Sequence, residues 1–137
     1  MITTTNPTVL SATMLNLALV GGGGAVGAMA RYGVGGLLHK HATTTGFPLG
    51  TLAVNLVGCL LIGVVAGLAE ARQVVPHEAR LFLTVGVLGG FTTFSAFGYE
   101  TMLLLRANDF LRAGLNAGVN VFAGLLLVWV GFALTTR

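Results

Sequence analysis

The sequence predicts an all-α integral membrane protein of four transmembrane helices, the third of them broken near Gly89–Thr93. Three observations carry that prediction. The 137-residue chain is 55% hydrophobic and 8% charged, with a mean hydropathy of +0.90, far from the balance of a soluble domain. Four apolar windows match the roughly 20 residues a spanning helix needs: Met14 to Leu38, Leu49 to Ala69, Leu81 to Leu105, and Ala113 to Leu134. The third window sets Gly89-Gly90 beside Thr92-Thr93, which weakens helical backbone in a place where only protein or a polar cavity can satisfy the freed groups. Residues 1–13 read as a polar N-terminal tail and 14–137 as a single four-helix domain. The short alternating segments of a barrel are absent.

Met1 to Ser11, with Thr3-Thr4-Thr5 and Asn6-Pro7, carries no charged side chain and reads as a loose tail. The first basic residue is Arg31, so the basic n-region of a signal peptide is missing and the first apolar segment is retained. That first span contains Gly22, Gly24 and Gly27 in a Gly-x-Gly-x-x-Gly pattern. A dinucleotide fingerprint requires a preceding strand and an acidic residue some 20 positions on. Phe47 stands in that region, so the glycines are read as allowing close helix approach. Arg31-Tyr32 follows near the end of the span. Arg31 can snorkel to the interface, or serve as a vestibule cation that draws anions in.

His39-Lys40-His41 through Pro48 reads as a solvated polar loop, since its His-x-His pair has no carboxylate or cysteine beside it. The second span places Thr51 and Asn55 four apart, hence on one face. An Asn in mid-span is costly unless it bonds another helix or lines a path. Gly58, Gly63 and Gly67 add small-residue contact surface. Glu70 to Arg80 is the most charged loop and ends in a start signal, Pro76, for the third span.

In the third span Phe91, Phe94 and Phe97 recur every three residues, roughly on one helical face. Such a stripe ordinarily packs or faces lipid. Beside hydroxyls and a double glycine, its electropositive ring edges could instead face an anion. After the short turn Arg106 to Arg112, the fourth span carries Asn116, Asn120 and Gly124 at intervals of four. Two polar stripes and a broken, hydroxyl-bearing span suggest the lining of a narrow polar route. Trp129 reads as an interfacial anchor.

The single cysteine, Cys59, rules out an intrachain disulfide and reads as a packing residue. The net charge of +3 comes from scattered residues, Arg31, Lys40, Arg72, Arg80, Arg106, Arg112 and Arg137, so no patch exists for nucleic acid. The loop and C-terminus on one side contribute Arg72, Arg80 and Arg137, against Lys40, Arg106 and Arg112 with Arg31 nearby on the other. With no positive-inside bias, the chain can insert either way round, and an antiparallel dimer would follow naturally. The GxxxG spacings Gly86/Gly90 and Gly114/Gly118 offer contact surfaces for that pairing, or for packing within one subunit.

The carboxylates Glu70, Glu78, Glu100 and Asp109 form no catalytic constellation, and no enzyme is expected. The first span lacks the deep carboxylate on which small four-span multidrug exporters rely. Amides, hydroxyls and aromatic edges all present positive dipole ends, which suits a small anion. Fluoride, with its tight hydration shell, most needs several such donors, and donors without fixed charge bind without trapping.

Gly50 to Asn55 (Gly-Thr-Leu-Ala-Val-Asn), Gly89 to Phe97 (Gly-Gly-Phe-Thr-Thr-Phe-Ser-x-Phe) with Glu100, and Gly27 to Tyr32 (Gly-Ala-x-x-Arg-Tyr) together resemble the CrcB/Fluc fluoride channels, over roughly Gly22 to Gly131. The resemblance implies an antiparallel, dual-topology homodimer in the cell's inner or plasma membrane, with two pores built from both subunits. It implies passive export of fluoride and hence protection from its toxicity. Phe94 and Phe97 would present ring edges to fluoride, Asn55 a donor and Thr51 an extension of the polar track. Thr93, Ser95, Asn116 and Asn120 would complete the pathway, Asn120 at the position of the family's fourth-span serine, with Arg31 at the vestibule. It also implies a central structural Na+ held by backbone carbonyls of Gly89 and Thr92 and their symmetry mates. This chain has Ala96 where family members usually have Thr, Gly98 for Ser, and Asn116 for Tyr. A proton-coupled fluoride exchanger, with Glu100 as its only titratable candidate on the third span, and a non-transporting membrane scaffold are the rival readings.

Overall fold

The computed structural model describes residues 7–71 and 75–137, apart from the side chains of residues 7, 39–44 and 71. The start of the expected tail, Met1 to Asn6, and Arg72 lie outside the described residues, as do the side chains of His39, Lys40 and His41. Helix α1 spans Pro7–Thr45 and therefore begins and ends well beyond the expected first span. Pro7 stands at its first position, where a missing N–H costs nothing. Within the stretch expected to be tail, the Ser11 hydroxyl donates to Thr8 O at 2.9 Å and the Thr13 hydroxyl to Val9 O at 2.9 Å. Back-bonding of this kind lets hydroxyl residues sit in a helix without competing for its pairing. The segment expected as a polar loop, from His39, is helical as far as Thr45. Gly46, at φ 65°, ends α1 in the left-handed conformation that glycine tolerates best.

Helix α2 spans Leu49–Ala71. The third span is assembled from α3 (His77–Leu81), a π-helical stretch (Phe82–Leu88) and α4 (Gly89–Phe91). Thr92 and Thr93 are extended, and α5 then runs Phe94–Arg106. A turn with Asn108 at φ 59° leads to α6 (Phe110–Gly118), capped by Asp109, whose carboxylate accepts from Arg112 N at 3.1 Å. A second π-helical stretch (Val119–Ala123) joins α6 to α7 (Gly124–Thr136). The segments Thr8–Leu38, Leu49–Glu70, His77–Arg106 and Phe110–Thr136 are each long and apolar enough to cross a bilayer.

The break falls at Thr92-Thr93, within the expected stretch and past the glycine pair itself. Gly89 and Gly90 stay helical because glycine here serves contact. A Cβ on Gly90 would lie 2.9 Å from Gly24 Cα, and one on Gly86 2.9 Å from Gly23 Cα. The Gly86/Gly90 spacing thus seats the third span on α1 within one chain. Gly63, Gly67 and Gly131 do the same between α2 and α7, where an added Cβ would meet backbone or Thr135. Gly114 and Gly118 have nothing within 4 Å and remain open on α6. The apolar interior is thin: among the described residues, Val54, Leu88, Phe91 and Ala113 make up the buried hydrophobic core. Most other large apolar side chains face outward, as they should where lipid replaces water.

Candidate functional site

The site is built at the discontinuity between α4 and α5. Thr92 has φ −79° and ψ 157°, Thr93 φ −150° and ψ 112°; the Thr92 N–H still closes the last turn on Leu88 O at 3.0 Å, whereas the Thr93 N–H leaves helical pairing and needs a partner elsewhere. The Thr93 side chain caps α5 by accepting from Ala96 N at 3.2 Å. Its backbone N–H donates instead to Asn55 Oδ1 of α2 at 3.0 Å. A mid-span Asn on α2 is satisfied by the freed backbone of the broken span, and each explains the other.

From Asn55 the polar contacts continue. Its Nδ2 donates to Asn120 Oδ1 at 3.0 Å and, at 3.4 Å, to Thr93 O. Asn120 Nδ2 donates to Asn116 O at 2.9 Å and to Asn116 Oδ1 at 3.1 Å. Asn116 Nδ2 donates to the Thr101 hydroxyl at 2.9 Å, which donates to Phe97 O at 2.8 Å. The π-helical turn at Val119–Ala123 is where Asn120 reaches back to the carbonyl four residues before it; such turns recur at functional positions. The two Asn stripes therefore meet, although Asn116 is only 1% exposed.

The phenylalanine stripe does not survive the break as one face. Phe91, on α4, is buried, whereas Phe94 is 83% exposed. Phe94 and Phe97 pair with centroids 5.4 Å apart and planes tilted by 56°, and both rings line one cleft. Thr93 and Ser95 hydroxyls lie 3.3 Å apart. Thr51 separates from Asn55 in its partner: its hydroxyl donates to Glu100 Oε1 at 2.6 Å, and Glu100 Oε2 is buried with no partner among the described residues. Arg31 extends to Thr92 O at 3.4 Å, the long end of hydrogen-bond range.

Two clefts meet at Thr93. One, of about 350 Å³, is lined by Asn55, Gly89, Thr92, Phe94, Phe97 and Asn120. The other, of about 300 Å³, is lined by Arg31, Thr51, Thr93 and Ser95; Thr93 lines both. Amide hydrogens, hydroxyls and ring edges concentrate on this line, with one guanidinium at one mouth, a set suited to a small anion without a fixed charge midway.

A cation is a different question. Thr93 N–H goes to Asn55 rather than back to Gly89, which releases the Gly89 carbonyl from helical pairing. Unwound carbonyls of this kind suit Na+. Thr92 also lines the first cleft, but its carbonyl already takes the Arg31 contact. The donor type fits sodium, with the guanidinium as a competitor at one of the two oxygens.

Thr101, which ends the Asn chain, and the bond between Thr51 and Glu100 are parts of the site that the sequence did not single out. The available signal was spacing: Thr101 lies four after Phe97, next to Glu100.

Comparison with known proteins matches residues 18–132 to the family described as CrcB-like protein, Camphor Resistance (CrcB). A Methylobacillus flagellatus protein named fluoride-specific ion channel FluC is 43% identical over 121 residues, covering 88% of this chain and 94% of that one. Its namesake from Hyphomonas neptunium is 46% identical over 125 residues, covering 90% and 98%. Fluoride-specific ion channel FluC 2 of Symbiobacterium thermophilum is 46% identical over 121 residues, covering 88% and 98%. A family match that takes in all four spans and the break between them, with such identities along nearly the whole length of each relative, makes this chain a multi-pass membrane protein of the CrcB-like family.

Proposed function

We propose that the protein is a fluoride-selective channel that lets fluoride leave the cell down its electrochemical gradient. One observation carries the reading: the broken third span sets a pair of phenylalanine edges beside a mid-span amide, at the meeting of two clefts lined by donors. Hydrogen fluoride crosses membranes, ionises at neutral pH and leaves the anion trapped inside. A passive exit needs only a path that replaces its hydration shell and binds weakly enough to release it. Arg31 gathers the anion at one mouth. Asn55 Nδ2, the Thr93 and Ser95 hydroxyls and the edges of Phe94 and Phe97 take the place of water in turn, with Thr51 bonded to Glu100 at the side of the path and Asn120 and Asn116 behind Asn55.

The chain works as an antiparallel homodimer on this reading. The exposure of Phe94, the openness of Gly114 and Gly118 and the balanced loop charges support a second copy closing the pathway. Gly89 and Thr92 carbonyls from both copies would then hold a structural Na+, which supplies a fixed positive charge at the centre of the dimer.

The test is efflux from proteoliposomes loaded with potassium fluoride, triggered by valinomycin, beside chloride-loaded vesicles. Fluoride loss that depends on valinomycin, without chloride loss, is the expected result. The partnerless Glu100 Oε2 favours a second reading, a proton-coupled exchanger. Efflux indifferent to valinomycin, driven by a proton gradient and abolished by Glu100→Gln would establish it. No efflux from folded protein would leave a membrane scaffold.

A further inference from the structure

We propose that Asn120 and Asn116 are positioning residues rather than fluoride ligands: with Thr101 they form a one-way hydrogen-bond relay that holds the Asn55 amide in the single orientation that fluoride passage requires. The proposal rests on the channel reading above and assigns the parts within it.

The orientation of an amide is ambiguous until something in its network can only donate or only accept. This network is fixed at both ends. It begins at the Thr93 backbone N–H, which can only donate, so the atom facing it at 3.0 Å must be Asn55 oxygen. Asn55 nitrogen is then turned to Asn120, which must answer with its oxygen. Asn120 nitrogen in turn faces the Asn116 backbone carbonyl at 2.9 Å, which can only accept. The last link, from Asn116 through the Thr101 hydroxyl, ends on the Phe97 carbonyl, another pure acceptor. Flipping Asn120 would set its NH₂ against the Asn55 NH₂ and its oxygen against the Asn116 carbonyl. One error breaks three bonds at once.

The relay also leaves a definite remainder. Both acceptors within reach of the Asn120 amide belong to Asn116, so its two hydrogens are taken and it has no donor for an anion. Asn116 is 1% exposed and lines neither of the two clefts. Asn55 differs: one hydrogen goes to Asn120, and the other makes only the 3.4 Å contact with Thr93 O. Asn55 lines the cleft with Phe94 and Phe97, and that second hydrogen is the donor an approaching anion can take over. The circuit starts at Thr93 and closes at Phe97, on either side of Phe94, so it also sets the spacing of the ring pair.

The experiment uses the full chain in vesicles at a protein density low enough that most hold one channel or none. The fraction of vesicles that empties then counts assembled channels, while the speed of emptying measures throughput. Thr101→Val is isosteric and removes only the relay's far acceptor. It should slow fluoride loss about fivefold, the factor expected for one hydrogen bond, without changing the fraction that empties, and Thr101→Ser should restore the speed. Asn120→Ala should be slower still, and the double variant with Thr101→Val no slower than Asn120→Ala alone, because residues acting through one network are not additive. Thr101→Val at wild-type speed, or losses that multiply in the double variant, would overturn the relay while leaving the channel reading intact. A wild-type protein that moves no fluoride would end both.

Discussion

Helix α2 is two helices in function. Its first half carries Thr51 and Asn55, which reach Glu100, Thr93 and Asn120 through side-chain hydrogen bonds. Its second half carries Gly63 and Gly67, which reach α7 through bare backbone. The polar half needs room for amides to turn and for an ion to pass, so it lies against a span that has come apart. The glycine half admits nothing, because backbone contacts at that distance have no slack. The contrast teaches that the frame and the pathway are built by opposite means along one helix and should fail in different ways.

The sharpest way to break that contrast is at the glycine end. Gly63→Ala puts a methyl group into the Val128 backbone and should destabilise the fold by ~3 kcal/mol or more. Loss of a monodisperse peak on size exclusion is the expected result, and a normal peak would show that this interface yields. At the polar end, Asn55→Asp keeps an acceptor for Thr93 N–H but sets a negative charge beside the path. Assembly should survive while fluoride efflux falls at least ~100-fold, as a few kcal/mol of charge repulsion would impose. Phe94→Leu and Phe97→Leu remove ring edges but keep apolar bulk, so each should slow efflux more than about tenfold in a protein that still folds. Retained flux in both would remove the aromatic pair from the pathway. The smallest effect belongs to Thr51→Val, which takes the donor from Glu100 Oε1. A reduction of about fivefold in efflux is expected, with melting in detergent nearly unchanged; a lower melting temperature with full flux would move Thr51 from the pathway to the frame.

The four spans were legible because hydropathy over about 20 residues is a sum that individual misreadings barely alter. The extent of α1 was not. Its ends are rich in Thr, Ser and His, which read as tail and loop. Hydroxyls that bond back to carbonyls one turn earlier make such residues compatible with helix. The break was legible within Gly89–Thr93, but the part each pair plays was not: Thr92 and Thr93 carry the break, while Gly90 is glycine because Gly24 lies against it. Among the site residues, spacing four apart placed Asn116 and Asn120 on one face. Which atom of each amide gives and which receives depends on Thr93 N–H, a backbone group whose freedom no side-chain pattern records. Thr101 was overlooked for the same reason, since its importance lies in the carbonyl it reaches.

Helix α1 has a mechanical consequence of its own. Its 39 residues amount to ~58 Å at about 1.5 Å per residue, nearly twice a hydrocarbon core of about 30 Å. Hiding that length by tilt alone would demand roughly 60° from the bilayer normal, beyond the 0–40° that spanning helices adopt. The helix must therefore overshoot, with turns standing among the headgroups or in water. The excess length is carried outside the hydrocarbon however thick or thin the bilayer is. The glycine seam that clasps it at Gly23 and Gly24 then keeps its depth against the rest of the bundle, whatever the lipid does.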